Sequence, residues 1–196
     1  MKLYLKLSSF ILRLSGVMCY KRGILWVKVG QSGTPGLSPA ALLKALIEHM
    51  FLGEYQHSVD EKSRLTVPAK FRDELAKGCV VTRGFEKNLN IYTSEDFAHL
   101  IKKAQTMSPT DPEARALQRL IFSGASEAVP DRNGRILIPP FLRAYAEIDS
   151  EVYVVGVGQY MEIWSTAGWE EQLKGMNDPE ANSRRFAALN LATNGS

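Results

Sequence analysis

The chain alternates apolar and polar positions in short segments that are separated by turn residues. Period-two alternation predicts strands in the first part of this pattern at 54–59, 64–67, 79–82 and 89–92. Pro68 suits the first turn of a helix that we expect to end before Gly78. Thr93 and Asp96 form a capping-box-like start for a further helix through Lys103. The pattern therefore predicts a small unit of antiparallel strands and short helices.

The same pattern returns 71 residues later. The block DEKSRLTVPAKFR at 60–72 matches DRNGRILIPPFLR at 131–143, with Asp, Arg, Pro and a final Arg at identical spacing. In the second block, Asn133-Gly134 is a strong signal for a tight turn. The second copy then predicts strands at 127–130, 135–138, 151–157 and 160–164, and helices at 139–146 and from Ser165 or Thr166 to Lys174. The chain is therefore predicted to contain a duplicated module of the α+β class, with mostly antiparallel strands and short helices.

These patterns give the following domain organisation: a leader at 1–49, module 1 at 54–101, a connecting segment at 102–126 with a helix at 112–122, module 2 at 130–173, and a polar tail at 177–196. The tail is expected to be partly disordered, with an amphipathic turn or two at 184–191.

The leader differs from the rest of the chain. It holds seven of the 24 Lys and Arg residues and a single acidic residue, Glu48. Its basic start resembles a signal peptide, but Lys6 and Arg13 interrupt the apolar runs, so no run approaches the roughly 20 residues of a membrane span. We expect 1–49 to come from a mis-assigned start, with Met50 as the true start. If made, it would be disordered or form a weak helix at 39–49.

Composition excludes few functions. Hydrophobic residues make up 45% and charged residues 23% of the chain, which is typical of soluble globular proteins. The net charge is +3, but beyond residue 49 there are 17 basic and 20 acidic residues, so any DNA binding must depend on local basic sites. The only cysteines are Cys19 and Cys79, which excludes a disulfide framework and paired metal-ligand spacing and fits a reducing cytosol.

The repeated polar residues suggest two roles. Asp60 and Asp131 can accept backbone N–H groups and so structure the turns, and the arginines can pair with them. The basic residues form two local patches on an otherwise acidic body: Lys62, Arg64, Lys70 and Arg72 in the first block, and Arg132, Arg135 and Arg143 in the second. Guanidinium groups suit bidentate contacts with phosphate or with guanine O6 and N7. Solvated surface charges remain the alternative.

The duplicated D-x-x-x-R element, followed by an apolar residue, Pro and a helix start ending in Arg, resembles the MraZ family. The start MFLGEY at 50–55 is similar to the amino terminus of that family, whereas Ser63 replaces the glycine that is common in the turn. The resemblance covers about 50–175 and implies two SpoVT-AbrB-type domains of the swapped-hairpin kind. It also implies that Arg64, and by duplication Arg135, contact DNA. Lys62, Arg132, Arg72 and Arg143 are then expected to support that contact, mainly at phosphates.

The resemblance further implies a regulator of the division and cell-wall gene cluster. Its partners would be G-rich direct repeats of double-stranded DNA in its own promoter and further copies of the same chain in a closed ring. We expect a cytoplasmic, nucleoid-associated protein without cofactor, metal, membrane or small-molecule substrate.

The leader offers a hypothesis about the operator. Trp26-Val27 must be encoded as TGGGT, and Val29-Gly30 and Ser32-Gly33 permit two further TGGG steps about 10 bases apart, which is roughly one helical turn. Residues 26–33 would then be translated operator DNA, and the protein would repress its own gene.

Three alternatives remain open. An enzyme is disfavoured because His49, His57 and His99 are scattered and no nucleophile or phosphate-binding motif is present. An antitoxin-like relative that mainly binds a small protein is the second alternative, and a ring-forming scaffold without DNA affinity is the third.

Overall fold

The computed structural model describes residues 13–14, 17–21, 24–28, 44 and 47–189, in two compact units, Met1–His49 and Met50–Ser196. In the first unit, β1 (Arg13–Leu14), β2 (Val17–Lys21) and β3 (Ile24–Lys28) form an antiparallel sheet in chain order. These strands were not predicted from the sequence. Lys44 and Ile47 are helical, and most of the helix expected at 39–49 lies outside the described residues. The leader interpretation and the start at Met50 stay predictions.

The second unit contains most of the secondary structure. Its strands are β4 (Phe51–Ser58), β5 (Arg64–Thr66), β6 (Cys79–Arg83), β7 (Leu89–Thr93), β8 (Ser126–Ala128), β9 (Arg135–Leu137), β10 (Glu151–Gly158) and β11 (Met161–Ser165). Its α-helices are α1 (Arg72–Leu75), α2 (Ser94–Gln105), α3 (Pro112–Phe122), α4 (Pro140–Tyr145), α5 (Thr166–Met176) and α6 (Pro179–Phe186). Among the described residues, no helix has the length and apolarity needed to cross a membrane.

The strands of the two halves are exchanged. Six strands form one antiparallel sheet in the order β4-β10-β11-β7-β6-β8, and β5 and β9 form a separate antiparallel pair. Each half therefore gives its first strand to the other half, because β4 pairs with β10 and β8 pairs with β6. This arrangement confirms the predicted fold class of duplicated antiparallel units with short helices.

One core is shared by both halves. Leu65 in β5 and Ile136 in β9 are almost fully buried and belong to one cluster with Phe71, Leu142 and sheet residues from both halves. Burial of one such side chain contributes about 1.5–3 kcal/mol. On other parts of the sheet, α2 and α3 pack with β6 and β7, and α5 packs with β10 and β11. The paired strands β5 and β9 therefore rest on a core to which both halves contribute.

Local capping signals set most helix starts. The side chain of Thr93 accepts from the N–H of Asp96 at 3.1 Å, as predicted, and Ser165 caps α5 by accepting from Gly168. The helix predicted after Pro68 is shorter than expected. A 3₁₀ turn at Ala69–Phe71 precedes the one-turn helix α1, and the chain then reverses at Gly78, where φ is +110°. The tail helix α6 begins earlier than predicted, with Asp178 as its cap, and 190–196 lie outside the described residues.

The backbones of β4 and β10 approach each other closely at Gly156. A Cβ atom at Gly156 in β10 would lie 2.4 Å from the carbonyl carbon of Phe51 in β4. Backbone atoms cannot give way as a flexible side chain can, so only glycine fits here. The β4–β10 pairing therefore depends on a residue without a side chain.

Candidate nucleic-acid interface

The two repeated turns have the same conformation. In the first, the N–H groups of Lys62 and Arg64 donate to Oδ1 of Asp60 at 3.0 and 2.9 Å. In the second, the N–H groups of Asn133 and Arg135 donate to Oδ1 of Asp131 at 2.9 and 3.0 Å. The aspartates thus satisfy the backbone donors of the turns, as side chains of this type commonly do.

The residue before each arginine has a left-handed backbone. Ser63 has φ of +61° and its counterpart Gly134 has φ of +71°. Both turns also close with the same backbone bonds, at 2.8 Å from Ser63 to Asp60 and from Gly134 to Asp131. The turn type is therefore the same with serine at position 63 as with glycine at position 134. The left-handed conformation costs a non-glycine residue such as Ser63 some conformational free energy.

The turns lie side by side because β5 pairs with β9. Arg64 is opposite Leu137 and Arg135 is opposite Thr66, with the buried pair Leu65 and Ile136 between them. Alternation along a strand places these four flanking residues on the face away from the core. We call the segments 60–66 and 131–137 the double-turn ribbon.

The outer face of the double-turn ribbon carries a quartet of charges. Each arginine donates through Nε to Oδ2 of its own aspartate, at 2.8 Å from Arg64 to Asp60 and 2.9 Å from Arg135 to Asp131. The quartet also crosses between the halves, with Nη1 of Arg64 3.8 Å from Asp131 and Nη1 of Arg135 3.5 Å from Asp60. The four side chains are 25–33% exposed. The two arginines therefore form one composite site that water can reach.

The arginines stabilise the ionised aspartates. The hydrogen bond from the Arg135 side chain, followed by its backbone N–H, lowers the pKa of Asp131 to about 2. The Arg64 side chain lowers the pKa of Asp60 in the same way, and Asp131 raises the pKa of Arg135. All four groups are charged at neutral pH, so the quartet has no net charge and its cations are held in place.

Backbone bonds tie each turn to the opposite strand. The N–H of Ile138 donates to the carbonyl of Ser63 at 2.8 Å, and the N–H of Val67 donates to the carbonyl of Gly134 at 2.9 Å. These bonds continue the β5–β9 pairing at both ends. The relative position of the two turns is therefore set by the main chain as well as by the charges.

Arg72 and Arg143 bond within the protein. Nη1 of Arg143 donates to the hydroxyl of Ser63 at 2.9 Å, and Nη2 reaches the carbonyl of Asp149 at 3.2 Å. Nε of Arg72 donates to the carbonyl of Val67 at 3.0 Å. The Arg72 side chain also lies against Gly134, since a Cβ there would be 2.4 Å from Nε. Each of these arginines thus braces the turn of the other half.

The remaining basic residues lie at the tips of the turns. Lys62 is exposed in the first turn and Arg132 is exposed in the second. Their neighbourhoods differ, because Glu61 occupies the position that corresponds to Arg132. The structure thus gathers all eight sequence-predicted residues in and around the double-turn ribbon, four in the quartet, two beneath it and two at its tips.

Two residues of the outer face were not predicted from the sequence. Leu137 is 55% exposed beside Arg64, and Thr66 takes the corresponding place beside Arg135. The alternation around the buried Leu65 and Ile136 was the signal that could have found them. The contacts between the two halves had no such signal, because spacing within one repeat does not show which strand pairs with which.

No metal site accompanies this surface. Within the described part of the chain, no group of three or more His, Cys, Asp or Glu side chains could hold a metal ion.

A family model matches the chain twice, in agreement with the duplication. It is the model of the MraZ protein, described as antitoxin-like, and it matches residues 50–120 and 121–189. Similar proteins include the transcriptional regulator MraZ of Herpetosiphon aurantiacus, 47% identical over 129 residues that cover 66% of this chain and 90% of the relative. The transcriptional regulator MraZ of Moorella thermoacetica is 46% identical over 129 residues with the same coverage. That of a Roseiflexus species is 42% identical over 138 residues, or 70% of this chain and 94% of the relative.

Proposed function

Because this chain belongs to the MraZ family, we propose that it is a sequence-specific DNA-binding transcriptional regulator that contacts DNA through the double-turn ribbon. The relatives compared above carry the names of regulators rather than of enzymes. The observation that carries the proposal is the pair of partly exposed arginines, Arg64 and Arg135, side by side on the outer face of two paired strands. The major groove of DNA admits a two-stranded β-ribbon.

The hydrogen-bond count of Arg64 supports base contact. A guanidinium has five N–H donors. In Arg64, Nε and Nη2 face Asp60, whereas Nη1 is 3.8 Å from Asp131 and makes no short bond to it. The aspartates thus fix the guanidinium planes and leave donors for guanine O6 and N7. Held side chains lose less conformational freedom on binding, which favours affinity.

The other basic residues take two roles in this proposal. Lys62 and Arg132 at the exposed tips contact phosphates, and their loss should reduce the salt dependence of binding. Arg72 and Arg143 were expected at phosphates as well, but their bonds to Val67 and Ser63 favour a positioning role. They would hold the turns in the conformation that presents the quartet.

The preferred target is G-rich DNA in direct repeats upstream of the chain's own gene. A closed ring of identical chains presents its ribbons head to tail, so they share one orientation along the DNA. Several weak contacts then act together through a high effective concentration. Such a regulator would repress its own operon, in the cytoplasm at the nucleoid.

The test is a gel shift with the DNA that encodes residues 20–49, which contains the obligatory TGGGT of Trp26-Val27. We expect Arg64→Ala and Arg135→Ala each to weaken binding by about tenfold or more, because each removes a base contact. Arg119→Ala is the matched control, since Arg119 is an exposed arginine on α3. If both ribbon variants fold and bind like wild type, the proposal is wrong.

The antitoxin-like description of the family keeps one other function open. In that case the main partner would be a small protein. Purification of the tagged full chain from its own cells, in high salt to remove DNA, would distinguish the two. A stoichiometric small protein together with unchanged DNA binding by the arginine variants would favour the antitoxin function.

A further inference from the structure

The double-turn ribbon has almost twofold symmetry. The register pairs Arg64 with Leu137 and Thr66 with Arg135, so a half-turn about an axis through the Leu65–Ile136 pair exchanges the two halves. The quartet obeys the same symmetry, because each arginine bonds its own aspartate and approaches the opposite one. A surface with true twofold symmetry could sit on DNA in two opposite orientations with equal energy.

Three pairs of positions break this symmetry. At the tips, Glu61 and Lys62 in the first turn correspond to Arg132 and Asn133 in the second, so the first tip has no net charge and the second has a charge of +1. On the outer face, Leu137 corresponds to Thr66, and Leu137 is 55% exposed. One end of the ribbon therefore combines an uncharged pair of tip residues, Glu61 and Lys62, with an apolar side chain, and the other combines the cationic Arg132 with a threonine.

The differences at the tips and on the outer face both affect contacts with DNA. Phosphates attract a cationic tip more than a neutral one, so the Arg132 end gains more than the end at which Glu61 offsets Lys62. An exposed leucine beside Arg64 can contact the methyl group of a thymine next to the guanines that the arginines bind. The energies of the two orientations on an asymmetric element such as TGGG are then unequal.

Building on the DNA-binding function proposed above, we infer that Glu61, Arg132 and the Thr66–Leu137 pair give the ribbon a single orientation on DNA. Arg64 and Arg135 supply the contacts that both orientations share. The selection between the orientations comes from Glu61, Arg132, Thr66 and Leu137. The selection explains how an internally symmetric site can distinguish direct from inverted repeats.

The test compares two duplexes of equal composition that carry two TGGGT elements 10 base pairs apart. One duplex has the elements in direct orientation, and the other has the second element inverted. Equilibrium gel shifts of the full chain give the ratio of the two affinities. A ribbon with one orientation binds the two duplexes with affinities that differ by about tenfold, the scale of a lost specific contact.

The variants then remove the asymmetry. Glu61→Gln gives both tips a charge of +1, and it should tighten binding to both duplexes, steepen the salt dependence and reduce the ratio. Addition of Leu137→Thr should bring the ratio close to one. The matched control is Glu170→Gln, which makes the same charge change at an exposed position on α5, a helix packed on β10 and β11. It should leave the ratio as in wild type.

The outcomes separate this inference from the proposal on which it rests. If wild type binds both duplexes tightly and equally, or if the double variant keeps the wild-type ratio, the orientation inference is overturned and DNA binding stands. If wild type binds neither duplex at low salt, the DNA-binding proposal itself fails, and the inference fails with it.

Discussion

Gly134 offers the most direct test of how the two halves brace each other. Its left-handed backbone and its contact with Arg72 both oppose a side chain. An alanine there costs about 1 kcal/mol for the left-handed conformation. Its Cβ would also lie 2.4 Å from Nε of Arg72, so the arginine must move and lose its bond to Val67, which costs about 1–2 kcal/mol. We therefore expect Gly134→Ala to lower the free energy of unfolding by about 2–3 kcal/mol.

The corresponding position in the first turn provides the comparison. Ser63→Ala keeps a left-handed non-glycine residue and loses only the bond from Arg143, so it should cost about 1 kcal/mol. Arg72→Ala makes room for the new methyl group. In that background Gly134→Ala should cost only the backbone term of about 1 kcal/mol, which leaves a coupling of about 1–2 kcal/mol.

Urea unfolding at one fixed protein concentration measures all four variants, because self-association would otherwise shift the midpoints. The midpoints should change while the slope with denaturant stays constant. If Gly134→Ala and Arg72→Ala prove additive, the contact between Arg72 and the second turn does not contribute as argued. A loss for Gly134→Ala no larger than that for Ser63→Ala would contradict the account of the turn.

Three further predictions concern the sheet and the quartet. Burial raises the pKa of Glu162, so the protonated side chain stabilises the fold fully below the ordinary pKa of 4.5, and this stabilisation is lost as pH rises through the raised value. Glu162→Gln should therefore unfold at a higher temperature than wild type at pH 7 and show a flatter pH profile in thermal melts. The pKa of Asp131 is lowered to about 2, so its contribution is present above the ordinary value of 3.8 and is lost as pH falls towards 2. Asp131→Asn should therefore weaken the acid dependence of circular dichroism between pH 4 and 2, and an unchanged acid transition would contradict the role of the Arg135 bond. Gly156→Ala should destabilise by about 2–4 kcal/mol in urea because its Cβ meets the backbone of Phe51, whereas a stable variant would show that the β4–β10 pairing tolerates a shift.

Local features of the fold could be predicted from the sequence because they depend on neighbouring residues. The spacing of Asp60 and Arg64 was sufficient to predict a turn closed by the carboxylate, and Thr93 with Asp96 predicted the start of α2. Leu65 and Ile136 lie in the strands that alternation predicted at 64–67 and 135–138, and both are buried. Each of these signals acts within a few residues.

Strand partners could not be predicted in this way. Period-two alternation states which face of a strand is buried but not which strand lies beside it, so the pairings of β4 with β10 and of β6 with β8 had no local signal. The contacts of Arg72 with Gly134 and of Arg143 with Ser63 depend on the pairing of β5 with β9, which had no local signal either. An arginine at a helix start looks the same in the sequence whether it contacts DNA or a neighbouring turn.

The exchange of first strands has a consequence for any attempt to divide the chain. Neither half can pair its own first strand, because β4 pairs with β10 of the second half and β8 pairs with β6 of the first half. A single half, expressed alone, would have to find a second half by diffusion before its hydrophobic surface is covered, and dilution would unfold it. The covalent link through α3 turns that encounter into an intramolecular step, so the paired arginines stay assembled even when only a few molecules are present in a cell.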